Sequence, residues 1–307
     1  MKKLLFAIAL GLIAPNTSAQ EKYPGTVLKV SPLLEGTLLL PPAVEDPPLA
    51  IIIAGSGPTD RDGNQMMMRT NAYKQLAQQL YDKGIASFRY DKRSVKYIKE
   101  RNVSSANILF DDFIDDARAV LKFFEGHYKK IYVIGHSQGS LIGMVAARGA
   151  AAGFISVAGP GQAIDDVIVA QLQQQVPALK DSGRKAFDEL RAKGTVLDFD
   201  PGLTSIFRQD IQPFMHSWMQ YGPKTEIQKL NMPVLIINGD KDIQVAVSEA
   251  ELLKEARPGA QLAIIAGMNH IFKEIKGGDI ENRKSYNQPE RPIMPLLVEK
   301  IATFIKQ

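Results

Sequence analysis

The stretch that decides the fold reads Val133-Ile134-Gly135-His136-Ser137-Gln138-Gly139-Ser140. An apolar run from Ile131 leads into it, and the small and apolar residues 141–147 follow it. A strand, a sharp turn and a helix in this order are the context that a nucleophile elbow requires. The two glycines remove the Cβ atoms that would collide where strand and helix pack closely. We therefore expect Ser137 to project its hydroxyl above the carboxyl end of a sheet, rather than to occupy an ordinary strand-to-helix turn.

The rest of the chain alternates between apolar runs and amphipathic segments. Runs typical of strands buried in a parallel sheet occur at residues 49–54, 85–90, 131–134, 153–158, 234–238 and 262–265, after a first strand at 38–40. Apolar residues at helical spacing occur at 71–83, 112–125, 245–256 and 294–305. This order predicts an α/β fold with a mostly parallel, doubly wound sheet and helices on both of its faces.

The composition excludes several classes of protein. The chain has 307 residues and 45% apolar content, which is enough for one large domain. It contains no cysteine, which excludes disulfides, a cysteine nucleophile and thiolate metal sites. The formal charge is only +4, so we expect no nucleic-acid partner. We interpret the densest basic cluster as a solvated loop, or alternatively as a rim that attracts anionic substrates: Lys92, Arg93, Lys96, Lys99 and Arg101.

Residues 1–19 predict a secretory signal peptide. Two lysines precede an apolar run at 4–14 that is too short to span a bilayer comfortably, and small residues end the segment at Ala19. We expect cleavage before Gln20, which leaves residues 20–307 as a periplasmic or secreted domain without stable membrane insertion. An uncleaved N-terminal anchor is the alternative.

A serine hydroxyl needs an adjacent base to act as a nucleophile near neutral pH. Of the four histidines, His270 alone lies in a loop just past a buried strand, at the edge where open α/β sheets bind ligands. The acid that orients this histidine must follow another strand, and both Asp240 and Asp242 qualify. Serine, acid and histidine then occur in the chain order expected of this arrangement.

An oxyanion hole requires two N–H groups aimed at the developing negative charge. One is expected from Gln138, the first residue after the nucleophile, and the other from the loop after residues 49–54. In that loop Ser56 is our choice and Gly57 is the alternative. The neighbouring residues 60–64, Asp-Arg-Asp-Gly-Asn, lack the glycine position and the distal glutamate of a calcium loop, so we expect salt bridges and turns there. We expect neither a metal nor a cofactor.

Several motifs together resemble a known group of proteins. They are Gly-Ser-Gly-Pro-Thr-Asp-Arg-Asp-Gly-Asn at 55–64, Tyr-Asp-Lys-Arg at 90–93, the elbow at 135–139, Asn-Gly-Asp-Lys-Asp at 238–242 and Met-Asn-His at 268–270. With them, residues 33–306 resemble the α/β-hydrolase fold, and more narrowly bacterial hydrolases similar to the serine aminopeptidase-type enzymes. The resemblance implies that the later aspartate, Asp242, is the acid, and we expect Asp240 to brace the loop. One departure is Ser94-Val95-Lys96, where such proteins usually carry glycines.

These observations predict an exported serine hydrolase, a carboxylesterase that acts on a small-molecule ester. Ser137 would attack the ester carbonyl, His270 would take and return the proton, and Asp242 would orient His270. Two alternatives are a serine hydrolase that cleaves amides, as aminopeptidase-type relatives do, and a non-catalytic α/β scaffold that binds ligands.

Residues 160–230 interrupt the alternation of strands and helices. Apolar residues recur there at helical spacing, and a structureless loop of that length is uncommon, so we expect a helical cap insertion over Ser137. Its apolar faces are short and it is rich in glutamine, unlike a lid that meets an oil interface. We therefore expect a modest pocket and short acyl groups, with Phe214 and Trp218 as candidates for its lining.

Overall fold

The computed structural model describes residues 22–42, 44–101 and 108–307. The predicted signal peptide lies outside these ranges. Within them, no helix is long and apolar enough to cross a bilayer.

A mostly parallel sheet forms the centre of the described chain. Its strands are β1 (Gly25–Lys29), β2 (Glu35–Leu39), β3 (Leu49–Ile53), β4 (Ala86–Tyr90), β5 (Ile131–His136), β6 (Gly153–Val157), β7 (Val234–Gly239) and β8 (Gln261–Ile265). They lie in the order β1-β2-β4-β3-β5-β6-β7-β8. The pairings of β2 with β1 and β4 are antiparallel, and those among β3 to β8 are parallel. The predicted α/β class and the mostly parallel sheet are confirmed.

Helices cover both faces of this sheet. In the described ranges they are α1 (Ala72–Asp82), α2 (Arg93–Lys99), α3 (Phe110–Phe124), α4 (Gln138–Ala146), α5 (Ile164–Gln175), α6 (Lys180–Lys193), α7 (Thr204–Phe207), α8 (Gln212–Trp218), α9 (Pro223–Gln228), α10 (Val247–Ala256), α11 (Asp279–Ser285) and α12 (Pro295–Ile305). Helices α1 and α12 bury Leu76 and Leu297 against one face. Helices α3, α4 and α10 bury Phe113, Leu141 and Leu253 against the other. The result is a three-layer arrangement of helices, sheet and helices.

Strands β3 and β5 are neighbours at the centre of the sheet and determine where the elbow lies. Every residue of both strands is buried, as expected for parallel strands covered on both faces. In their register Ile53 lies opposite Gly135, so both strands end at the same level. The loop after β3 and the elbow after β5 therefore meet at the carboxyl edge of the sheet.

Three elements were not predicted from the sequence. The edge strand β1 has mostly exposed residues, so it carries no apolar pattern. Residues of α2 were expected to form a loop, but Arg93 pairs with Asp112 and Asp116 on α3 and fixes a helix there. Helix α11 is short and mostly polar in sequence. Within residues 160–230, where helices were predicted, Pro213 in the first turn of α8 separates this helix from α7.

The chain between β6 and β7 folds into α5 to α9. Part of it has a hydrophobic cluster of its own, in which Phe187 and Phe207 contact each other with ring centroids 4.6 Å apart. The buried carboxylate of Asp165 accepts hydrogen bonds from Arg184 (2.8 Å) and Arg191 (2.7 Å), which joins α5 to α6. The residues between β6 and β7, with these five helices, form the insertion.

Candidate active site

Ser137 occupies the turn between β5 and α4. Its backbone has φ 53° and ψ −123°, a conformation that costs a residue with a side chain about 1–3 kcal/mol. The turn is held by neighbouring backbone groups: Ser137 N–H donates to the carbonyl of Val157 (3.0 Å), and its own carbonyl accepts from Ser140 N–H (2.9 Å). The surrounding sheet and helix therefore maintain a strained conformation that presents the side chain at the edge of the sheet.

The two glycines of the elbow permit the close approach of helix and strand. A Cβ atom on Gly135 would lie 2.4 Å from the carbonyl oxygen of Gly139. A Cβ atom on Gly139 would lie 2.3 Å from the carbonyl oxygen of Ile53. Both distances are shorter than any ordinary contact with a backbone atom, so only glycine fits at either position.

His270 lies in the loop after β8 and is buried together with its carboxylate partner. Its Nδ1 is 2.7 Å from Oδ2 of Asp242, in the loop after β7. The other oxygen of Asp242 accepts from the N–H groups of Gln244 (2.7 Å) and Val245 (2.9 Å). Because Nδ1 faces a carboxylate, it carries the ring proton, which leaves Nε2 free to accept a proton.

Asp240 has a different set of contacts. Its Oδ1 accepts a hydrogen bond of 2.7 Å from the backbone N–H of Gly267, and the structure gives it no bond to His270. The side chain therefore joins the loop after β7 to the loop after β8.

The loop that carries His270 is anchored by Asn269. Its amide group donates to Asn282 and Ser285 of α11, each at 2.9 Å. Its oxygen accepts from the backbone N–H of Lys273 at 2.9 Å. The unpredicted helix α11 therefore holds this loop in position.

His136, the residue before Ser137, is buried beneath the site. Its Nε2 lies 2.9 Å from the carbonyl oxygen of His270, which can only accept, so Nε2 carries the proton. Its Nδ1 consequently accepts from the hydroxyl of Tyr73 at 2.7 Å, and that hydroxyl accepts from Gly55 N–H at 3.1 Å. Burial and then the charge of nearby His270 hold the pKa of His136 well below its usual value of 6.5. This directed chain links the loop after β3, the elbow and the His270 loop.

The loop after β3 passes directly beside the elbow. A Cβ atom on Gly55 would lie 3.1 Å from the Cβ of Ser137. The carbonyl of Ser56 accepts from Gln65 Nε2 (2.8 Å) and from the hydroxyl of Thr59 (3.0 Å), which fixes the following peptide unit. Ser56 is thus held next to the nucleophile position, and Gln138 begins α4 on the other side.

Residues 60–64 form a network of turns and ion pairs. Asp60 Oδ1 accepts from the N–H groups of Asp62 (2.9 Å) and Asn64 (2.8 Å). Arg61 donates to both oxygens of Asp91, at 3.1 and 2.9 Å, and this pairing lowers the pKa of Asp91 despite its burial. These contacts brace the loop after β3 against the end of β4.

Two cavities open at this edge of the sheet. The first, of about 340 Å³, contains Ser137 and His270 and is otherwise lined by uncharged groups such as Gln65, Gln244 and Tyr286. The second, of about 250 Å³, shares only Ser56 and Gly57 with it. The second cavity lies between the loop after β3 and the insertion, and its lining includes Lys92, Ile108, Phe113, Gln138, Ile211, Phe214 and Trp218.

Phe214 and Trp218, the candidates for the lining of an acyl pocket, lie outside the lining of the cavity that contains Ser137. They border the second cavity together with Gln138. Trp218 also stacks on Phe110 of α3, with ring centroids 5.3 Å apart and an interplanar angle of 2°. Their rings therefore connect the insertion to the main core.

The interpretation of the basic cluster as a solvated loop is wrong for two of its members. Lys92 is only 4% exposed and projects inward. Arg93 is engaged by Asp112 and Asp116, which raises the pKa of its guanidinium. Lys99 is exposed but pairs with Asp91 at 3.4 Å. The segment is a helix with most of its charges partnered, so it does not form a basic rim.

Tyr73 and Lys92 were not identified as site residues from the sequence. Tyr73 lies on the buried face of α1, where an aromatic residue is expected for packing alone. Lys92 follows the carboxyl end of β4, the level at which the other site residues occur, and this position was the signal that could have marked it.

The fold and the geometry of Ser137, His270 and Asp242 define an α/β-hydrolase. The family described as "Serine aminopeptidase, S33" matches residues 66–274, more than half of the chain. The chain therefore belongs to this family of the α/β-hydrolase superfamily, as the sequence motifs predicted.

Individual proteins resemble the chain more distantly. Esterase EstD from Thermotoga maritima is 24% identical over an alignment of 278 residues that covers 85% of this chain. The chain spans only 63% of the length of that relative. Among solved structures, Est1E from Butyrivibrio proteoclasticus has a TM-score of 0.58 at 18% identity and covers 92% of this chain and 97% of its own. The esterase Pf2001 from Pyrococcus furiosus has a TM-score of 0.55 at 15% identity, covering 96% and 95%. These structures share the fold.

Proposed function

We propose that the protein is a serine hydrolase that cleaves carboxylic esters through an acyl-enzyme intermediate. The observation that carries this proposal is the placement of Ser137 and His270 in one cavity, with Asp242 hydrogen-bonded behind the histidine. This is the arrangement that a serine needs in order to lose its proton as it attacks a carbonyl.

The proposed reaction has two steps. In the first, Ser137 Oγ bonds to the ester carbonyl carbon, Nε2 of His270 takes the serine proton and passes it to the departing alcohol, and the C–O bond breaks. In the second, water loses a proton to Nε2 and attacks the acyl carbon, and the proton returns to Ser137 as the acid leaves. The N–H groups of Ser56 and Gln138 would stabilise the oxyanion in both steps.

Amide hydrolysis is the second candidate, because the family description names an aminopeptidase. An aminopeptidase must recognise the free α-ammonium group of its substrate, which favours a carboxylate near the nucleophile. Among the described residues that line the cavity of Ser137, none is an aspartate or a glutamate. The second cavity has one carboxylate, Asp210, and it is paired with Arg208 at 2.9 Å. Together with the name of the Thermotoga relative, this lining favours an uncharged ester.

The second cavity supports a short acyl group. Its volume of about 250 Å³ lies below the range of about 300–1,000 Å³ that is usual for ligand pockets. Phe113, Phe214 and Trp218 give it an apolar wall next to Gln138. We infer that the acyl chain enters this cavity, that the alcohol group occupies the first one, and that acyl groups from acetyl to about hexanoyl fit.

The test is hydrolysis of a panel that contains p-nitrophenyl acyl esters and aminoacyl p-nitroanilides, by the wild-type protein and by Ser137→Ala. Esters should be cleaved, the anilides should be poor substrates, and the alanine variant should retain less than a few per cent of the ester activity while its near-UV circular dichroism is unchanged. A fluorophosphonate probe should label the wild type only. Faster cleavage of anilides than of esters would favour the aminopeptidase candidate, and full ester activity in folded Ser137→Ala would refute the mechanism.

A further inference from the structure

Lys92 is a buried lysine that the proposed mechanism does not use. It lies between β4 and α2, and 4% of its surface is exposed. A buried ammonium group is unfavourable unless hydrogen-bond acceptors replace the water that it loses. The contacts of Lys92 should therefore indicate why a lysine is found there.

The Lys92 ammonium contacts the two segments that flank Ser137. Its Nζ donates to the carbonyl oxygen of Gly55 (2.9 Å) and to the side-chain oxygen of Gln138 (2.9 Å). Nζ also lies 4.2 Å from the centre of the Phe113 ring, which provides a cation–π contact. Burial lowers the pKa of Lys92 to about 7, against the opposing effect of Asp116, and the amine can donate both hydrogen bonds in either protonation state.

The bond to Gly55 acts on the peptide unit that contains the Ser56 N–H. A peptide unit is planar, so the direction of its carbonyl fixes the direction of the N–H of the next residue. With the carbonyl of Gly55 directed at Nζ, the N–H of Ser56 is directed away from Lys92. The other proposed donor, the backbone N–H of Gln138, belongs to the residue whose side chain Nζ also holds.

We propose that Lys92 is the positioning residue of the oxyanion hole, where it fixes the peptide unit before Ser56 and the first residue of α4 relative to each other. This inference rests on the proposed function. The loop after β3 and helix α4 come from separate parts of the chain, and Lys92 bridges them with one atom.

A preorganised oxyanion hole stabilises the transition state more than the ground state. Loss of one oxyanion-hole donor typically reduces kcat about 10²- to 10³-fold. Loss of a group that only orients the donors should cost less, about 10- to 100-fold, because each N–H is retained but is less well fixed. The substitution should therefore weaken the binding of every ligand that forms an oxyanion, and it should leave the binding of other ligands unchanged.

The experiment compares Lys92→Met with Lys99→Met, which removes an exposed lysine of the same segment. For each variant, kcat/KM is measured on p-nitrophenyl acetate. The inhibition constants of two compounds are measured as well. An alkyl trifluoromethyl ketone forms an oxyanion when serine adds to it, and the matching alcohol does not. We expect Lys92→Met to reduce kcat/KM about 10- to 100-fold and to raise the inhibition constant of the ketone by the same factor. The inhibition constant of the alcohol should stay within about twofold of its wild-type value. Lys99→Met should behave as wild type.

Two results would overturn the inference. One is a folded Lys92→Met variant with kcat/KM and ketone inhibition within about twofold of wild type. The other is a loss of activity with unchanged ketone inhibition, which would place the effect of Lys92 elsewhere. If Lys92→Met shows no cooperative thermal unfolding, the experiment is done with Gln138→Met instead. This change removes one acceptor of Nζ and should also weaken inhibition by the ketone. An unchanged ketone constant in Gln138→Met would refute the bridging role. Failure of the proposed function would give a different result, because the folded Ser137→Ala variant would then keep the ester activity of the wild-type protein.

Discussion

His270 Nδ1 lies 2.7 Å from Oδ2 of Asp242, and both side chains are almost completely buried. Asp240, two residues earlier in the same loop, instead accepts from Gly267 N–H. The two aspartates therefore have separate tasks in the structure: one is a partner of the histidine, and the other joins two loops.

Exchange of each aspartate for asparagine should separate these tasks. Asp242→Asn should reduce kcat by about 10⁴-fold, because an amide that donates to Nδ1 holds the histidine in the wrong tautomer. Asp240→Asn should retain most of kcat and lower the free energy of unfolding by about 1 kcal/mol. Ester kinetics and urea unfolding of both variants measure the two effects. If Asp240→Asn is the more damaging variant in kcat, Asp242 is misassigned as the acid.

Gly139→Ala should inactivate the protein and destabilise it. The added Cβ would meet the carbonyl of Ile53 at 2.3 Å, so α4 and β3 would have to separate. We expect a loss of more than about 1 kcal/mol of unfolding free energy and a large loss of kcat, since Ser137 moves with the helix. The control is Gly259→Ala, where no heavy atom lies within 4 Å of the added Cβ and the change should stay within about 0.5 kcal/mol. Equal stability of the two variants would contradict the close approach.

Phe214→Ala should shift the acyl preference towards longer chains. The ring borders the second cavity, and its removal enlarges the space proposed for the acyl group. The ratio of kcat/KM for p-nitrophenyl octanoate to that for the butyrate ester should rise about 10-fold, which corresponds to a transition-state change of about 1.4 kcal/mol. The control is Leu197→Ala in the insertion, because Leu197 is exposed and lies outside the lining of either cavity. An unchanged ratio would place the acyl group elsewhere.

The buried His136 should make stability depend on pH. Its folded-state pKa lies well below 6.5, so below about pH 6.5 the unfolded chain binds a proton that the folded chain does not. Its contribution to stability is therefore complete above pH 6.5 and is lost as the pH falls, by up to about 1.4 kcal/mol per pH unit.

His136→Gln removes this titration and can retain a donor to the carbonyl of His270. Urea unfolding of wild type and variant at about pH 7.5, 6.5 and 5.5 should show a smaller decrease for the variant. His127→Gln, at an exposed position, is the control and should follow wild type. If His136→Gln loses stability as steeply as wild type below pH 6.5, other groups cause the acid sensitivity.

The chain of 307 residues, expressed in a Gram-negative bacterium, should be recovered from the periplasm or the medium with Gln20 as its first residue. N-terminal sequencing and intact mass measure this outcome. Ala19→Arg should block processing, since small residues are required at the cleavage position. Recovery of the wild-type chain in the membrane fraction with Met1 intact would support an N-terminal anchor instead.

The local pattern of apolar residues was sufficient to predict most strands of the sheet and their order along the chain. Parallel strands are apolar on both faces, so β3 and β5 were evident as continuous apolar runs. The edge strand β1 was missed for the converse reason, because its side chains are mostly exposed and show no pattern. Helix α2 was missed because the pairing of Arg93 with α3 is a tertiary contact.

Some residues of the site could likewise be predicted from the sequence, and others could not. Ser137 and His270 were predicted because each lies directly after a strand, where position along the chain fixes position in space. The choice between Asp240 and Asp242 needed the resemblance to known proteins, since both follow the same strand. The contacts of Lys92 and Tyr73 join parts of the chain 37 and 63 residues apart, and such pairings cannot be inferred from one sequence.

Within the described chain, the buried cluster of the insertion, centred on Phe187 and Phe207, shares none of its fully buried members with the clusters on the two faces of the sheet. Substitutions can therefore accumulate there during evolution without disturbing the packing beneath Ser137. Because the two are separate, related proteins can acquire different substrate preferences through changes in this one segment, while Ser137 and its partners stay unchanged. This separation also gives protein engineers a cluster to vary, provided that Trp218, Ile227 and Leu230 of the insertion, which pack in the main core, are kept.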